Sequence, residues 1–268
     1  MTRAVLAAAW LAALWLTGCV ATPASPVPTP AHGLTLVRCS ILADAADLEA
    51  TAVAYAVRPY PSPAEQERLG RLGLQVAVVR PSDVPAIRER LRTVGPVVET
   101  AIGQSAAWLD LAAREASPGV ASLGGGTAAG GTLALSVRDW IVPQEDGGCV
   151  ATEMAMHLLP LDAPLFQAAG QPPRGTLVQG SALACCLQRD EALLVLPRPV
   201  TGSGKGPASL AEMPPSPGVF LLGERPLRGP EGVRHASTLL VLMASLPPAM
   251  APPPLDTDQS AADTLPNP

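Results

Sequence analysis

Six titratable side chains gather in one short stretch of the chain: Arg138, Asp139, Glu145, Asp146, Glu153 and His157. General acid–base chemistry needs such groups converging on a cleft, with a carboxyl or imidazole placed to take and return a proton. Their spacing points elsewhere. Thr132 to Val142 and Cys149 to Leu159 both alternate apolar and polar residues, the period of two that marks half-buried strands. A hairpin centred on Glu145 and Asp146 sets Val137 opposite Met154 and Leu135 opposite Met156, so that both apolar stripes share one face. Arg138 then lies opposite Glu153 on the other face, as a cross-strand ion pair, and Glu145 and Asp146 sit in a turn. The cluster reads as strand surface, His157 as a surface or packed histidine near a strand end, and no residue is assigned a catalytic role.

Beyond Cys19 the chain carries Cys39, Cys149, Cys185 and Cys186. Cys185 and Cys186 are adjacent and must face opposite ways on a strand, so a disulfide is expected to join Cys39 or Cys149 to one of them; otherwise all four are small packed hydrophobes. No C-x-x-C spacing supports redox or metal chemistry. Only His157 and His235 fall in the body of the chain, His32 lying in a proline-rich spacer, so neither a metal nor a cofactor is expected. Thr201-Gly202-Ser203-Gly204-Lys205-Gly206 looks like a phosphate loop, but Pro199 stands where the leading glycine belongs and Gly206 where the magnesium-binding hydroxyl belongs. Gly124-Gly125-Gly126 with Gly130-Gly131 lacks dinucleotide-binding spacing and reads as a turn. Neither a G-x-S-x-G elbow nor an H-E-x-x-H helix occurs.

At the N-terminus, Arg3 precedes 13 apolar residues from Ala4 to Leu16, closed by Leu16-Thr17-Gly18-Cys19. A membrane-crossing helix needs roughly 20 apolar residues, so the run suits a cleaved export signal. The segment resembles a bacterial lipoprotein signal with its lipobox. That resemblance implies a diacylglyceryl thioether on Cys19, cleavage before it and acylation of the new amine, which together anchor the mature chain in a membrane. Val20 in place of Asp resembles the pattern for onward sorting to the outer membrane, with the body facing the periplasm.

Removing 18 of the 268 residues leaves 250, with 17 basic and 23 acidic side chains and a formal charge near −6. This mild acidity argues against nucleic-acid binding, which requires a basic footprint. Once Trp10 and Trp15 are lost with the signal, the aromatics are Tyr55, Tyr60, Trp108, Trp140, Phe166 and Phe220, few for a stacking platform.

Proline and glycine divide what remains. Residues 19–32 form a proline-rich spacer, residues 198–217 a flexible loop and residues 247–268 a disordered tail. Residues 33–116 form a mixed α+β part. In it Leu34–Leu42 reads as a strand, and Asp44–Val57 is compatible with helix or strand. Ser62-Pro63-Ala64-Glu65 has capping-box form, Gly73 can end that helix, and Leu74–Arg80 reads as a strand. Val84, Ile87, Leu91 and Val94 share a helical face, and Gly95-Pro96 is expected to stop it. The segment around Trp108, Leu109 and Leu111 is left without a type. Residues 117–246 form an antiparallel β part, with further strands expected at Gly175–Val178, Ala182–Leu187, Ala192–Leu196, Gly218–Leu222 and Ser237–Ala244.

The expected whole is an α+β protein, lipid-anchored in the cell envelope, acting as a non-enzymatic adaptor or assembly component for a protein partner. Two other readings stay open. One is an anchored hydrolase with its site near the 132–159 hairpin; the other is a small-ligand binding lipoprotein with an apolar pocket bordered by Trp108 or Trp140.

Overall fold

A computed structural model describes residues 32–116, 131–144, 147–160, 175–198, 215–223, 225–229 and 232–250. The lipobox, the spacer up to residue 31, the Gly124-Gly125-Gly126 turn, the hairpin turn at 145–146, the 201–206 loop and the tail from 251 lie outside them.

The described residues form an α+β structure of two antiparallel sheets. In the first, β1 (Gly33–Ile41) lies between β3 (Thr93–Gly103) and β11 (Gly232–Ser245), followed by β9 (Ala192–Pro197) and β2 (Leu74–Val79). A short strand, β10 (Arg225–Gly229), pairs with the start of β11. The second sheet runs β4 (Ser105–Ala116), β5 (Gly131–Gln144) and β6 (Gly147–Leu159), with β7 (Thr176–Leu177) and β8 (Leu183–Leu187) sharing the outer edge of β6.

The alternation of β1 shows how the layers assemble. Leu34 and Leu36 point toward the second sheet, where they share a core with Leu133, Leu135, Val137, Met154 and Met156. Val37, Cys39 and Ile41 point the other way, onto α1 (Ala45–Tyr55) and α3 (Val84–Arg90), which contribute Leu48, Ala52, Val84 and Ile87. The first sheet is therefore covered on both faces. This explains why all six residues of β2 are buried although its sequence, Leu-Gln-Val-Ala-Val-Val, barely alternates.

Local signals hold where one face and one cap suffice. Helix α2 (Pro63–Arg71) starts with Ser62 and Glu65 in the reciprocal capping box, and the chain leaves it through Gly73 at φ 78, where a side chain would run into Ser216. The hairpin has the register that its apolar stripes demand: Leu135 faces Met156, Val137 faces Met154 and Arg138 faces Glu153. The segment compatible with either type is α1, because Asp44 caps it by accepting from the Asp47 N–H at 2.8 Å. The untyped stretch around Trp108 is β4.

Four expectations are corrected. The third helix stops at Leu91 and not at Gly95-Pro96. Arg92 takes φ 51 and Val94 instead pairs with Ser40 in β3, Gly95 at φ 71 marking the shifted register there. Gly218–Leu222 belongs to a helix, α4 (Pro217–Leu222), because Pro217 presets its first turn and the Gly218 N–H donates to Leu72 O at 2.7 Å instead of to a strand. A short apolar run does not distinguish the two states by period. The expected disordered tail begins with structure: Pro248–Met250 form a helical turn, and the Pro247 carbonyl accepts from Arg189 at 2.7 Å. Finally, sheet membership ignores the expected division at residue 117: β9 and β11 complete the first sheet, and β4 joins the second.

Candidate functional site

The outer face of the second sheet, turned away from the shared core, carries the hairpin's polar residues. Arg138 projects there from β5 and its Nε donates to Glu153 Oε2 of β6 at 2.6 Å. Both side chains are about one-third exposed, so the pair contributes about 0.2–1 kcal/mol. The guanidinium also lies 4.9 Å from the ring centre of Trp108 and 5.8 Å from that of Trp140, so β4 and β5 hold it between two indoles. Trp108 in turn meets His157 edge-on, with ring centres 4.8 Å apart.

Further along the same face, Ser136 Oγ donates to Asp110 Oδ1 at 2.8 Å and lies 3.4 Å from His157 Nδ1. Ser136 and His157 are buried. A serine nucleophile hands its proton to an imidazole; here the hydroxyl hydrogen points to a carboxylate instead. Glu153 is held by Arg138. The arrangement fixes side chains in place and presents indole and guanidinium surface at its exposed end.

Asp139, next to Arg138 in sequence, faces inward and is fully buried, accepting the Ser105 N–H at 3.1 Å. The cluster read from the sequence is thus divided between the two faces of one strand, with Glu145 and Asp146 outside the described residues. Burial raises the Asp139 carboxyl to about 6, against 3.8 for an ordinary aspartate, the Ser105 bond opposing the shift in part. Between these values the folded state binds more protons than the unfolded one, so stability falls as pH rises from 4 to 6. The full penalty above pH 6 is about 3 kcal/mol. Asp139→Asn keeps the Ser105 acceptor and loses the charge. Its melting temperature, followed from pH 4 to pH 7, is expected to lack that decline; profiles running parallel in the two proteins would refute the assignment.

Cys149 and Cys186 form a disulfide joining β6 to β8, with Cα atoms 5.5 Å apart. Cys185, on the opposite face of β8, packs half-buried against the shared core, and burial raises its thiol to about 12. Cys39 is buried beneath the helices and is also raised, chiefly by desolvation. Burial therefore favours the protonated form of both free thiols. Among the described residues no three His, Cys, Asp or Glu side chains converge as metal ligands.

A cleft of about 370 Å³ opens elsewhere, where the first sheet extends past the β4 edge of the second. Arg38, Ser40, Ala113, Arg225, Ala236 and Thr238 line it, and it borders neither Trp108 nor Trp140. The sequence reading passed over Arg38, although a signal was present: Leu34, Leu36 and Arg38 occupy successive positions of one strand face, and a charge replaces the expected third apolar residue. Arg225 carried no comparable local signal, since the pairing of β10 with β11 is what brings it here. No family model matches this chain, and neither a curated protein nor a solved structure does.

Proposed function

We propose that the protein is an exported, lipid-anchored envelope component working as a non-enzymatic adaptor, moored through acylated Cys19 and engaging a protein partner with the outer face of its second sheet. The row Trp108–Arg138–Trp140 carries this reading. Tryptophan and arginine dominate the binding energy of protein interfaces because they offer large, stiff surfaces with a polar handle. Here the guanidinium is already fixed by Glu153 and two indoles, and Trp140 is 37% exposed, so little freedom is lost on docking. The membrane tether rests on the lipobox. A Cys149–Cys186 bridge suits the oxidising compartment beyond the inner membrane.

Membranes treated with a reversible crosslinker are expected to yield a defined partner with the wild-type chain. Trp140→Ala combined with Arg138→Ala is expected to weaken that capture by about thirtyfold, the loss of one strong anchor. In the same cells Cys19→Ser should abolish incorporation of a fatty-acid analogue and release the chain from the membrane fraction. Capture that is unchanged by the double substitution overturns the adaptor surface, and a membrane-bound chain without lipid overturns the tether.

A further inference from the structure

The cleft at the overhanging end of the first sheet combines positive charge, small walls and unused donors. Arg38 stands on the strand face that carries Leu34 and Leu36, at the point where the second sheet no longer covers it. Arg225 reaches the same space from β10; one Nη is spent on Leu221 O at 2.7 Å, while its buried Nε has no partner. Arg114, on β4 beside the lining residue Ala113, stacks over Phe220 at 4.6 Å and donates to the Phe220 carbonyl at 3.0 Å. Among the described residues none of the three arginines forms an ion pair with a carboxylate. Burial, and after it repulsion from Arg114 and Arg38, lowers the proton affinity of Arg225. Two arginines lining the cleft, with Arg114 close by and no carboxylate paired to any of the three among the described residues, form a local anion trap in a chain of net charge −5.

We propose that this cleft is a binding site for a phosphate monoester of a small organic group. Planar guanidinium forks match the oxygens of a phosphoryl group, and a dianion neutralises the two lining arginines better than a single carboxylate does. Ser40 and Thr238 supply hydroxyls that can donate one or two bonds, and Pro96, Val98 and the lining alanines supply apolar surface against which a compact organic substituent can rest. The volume of about 370 Å³ lies at the small end of ligand pockets, which suits a small molecule or a single headgroup and not a polymer. The cleft borders neither Trp108 nor Trp140, although β4 contributes to both surfaces, and each assignment is tested by its own substitutions.

The test uses the detergent-solubilised full chain titrated calorimetrically with phenyl phosphate, inorganic phosphate and benzoate. Phenyl phosphate is expected to bind tightest and to weaken as salt rises. Arg38→Gln and Arg225→Gln should each reduce its affinity by about tenfold, as loss of one charge-assisted contact implies. Arg225→Gln also removes a bond to α4 and is checked by circular dichroism; Arg38 makes no described hydrogen bond, so Arg38→Gln keeps the test decisive if α4 is disturbed. Repeating the titration in nanodiscs with and without phosphatidic acid identifies the source of the ester. Competition by that lipid means a membrane headgroup occupies the cleft, and its absence means a soluble phosphate does. Absence of phenyl phosphate binding, equal affinity in Arg38→Gln, or benzoate binding as tightly as phenyl phosphate overturns the proposal.

Discussion

Replacing Cys149 and Cys186 by alanine is expected to lower unfolding free energy by about 4 kcal/mol, from the loop-closure entropy of a 37-residue separation. The bridge ties β8 to β6; this five-residue strand pairs with the second sheet along one edge, buries Leu183 and Leu187 in the shared core, and accepts from the Tyr60 hydroxyl at Ala184 O at 2.7 Å. The Arg58 guanidinium, which donates to Cys186 O at 2.8 Å and to Glu191 at 2.9 Å, binds the following turn to the α1–α2 connection. Loss of the bridge should loosen β8 from β6 and raise the exposure of half-buried Cys185. Urea unfolding of the double variant, beside the wild type with and without reductant, checks this. A wild-type midpoint indifferent to reductant would mean that the bridge does not form in the protein.

Leu135→Ala is expected to cost about 3–5 kcal/mol. Leu135 is fully buried in the core shared by the two sheets, opposite Met156 on β6. Two sheets and α2 meet in this core, so no single element can move in to close the void, and the cost should fall at the upper part of the range. The outward-facing neighbour Ala134 is equally buried yet lies on the other side of the strand, outside this core. A loss below about 1 kcal/mol in denaturant unfolding would show that the sheets do not pack against each other through Leu135.

Local chemistry accounts for what the sequence made legible. Both hairpin strands alternate with a period of two, and a one-residue slip would turn every apolar side chain of one strand to the wrong face, so a single register survives. The α2 cap is equally local, because Ser62 and Glu65 satisfy each other's backbone donors within one turn. The end of the helix at Leu91 is not legible locally, because Val94 fits both a helical face and a strand; pairing with Ser40, more than fifty positions earlier, decides between them. Gly218–Leu222 is ambiguous for the same reason. A five-residue apolar run takes its type from its neighbours, here the Leu72 carbonyl.

From composition and order alone came the α+β class, the register of one hairpin, one capped helix and the lipobox reading of Cys19. Only the tertiary structure decided that β1 lies between β3 and β11, that Asp139 turns inward while Arg138 turns out between two indoles, and that Arg38 and Arg225 share one cleft. The physical reason is distance along the chain. Periodicity and caps report interactions within a few residues, whereas two charges nearly two hundred residues apart, brought to one cleft because their strands both pair with β11, leave no periodic trace in either segment.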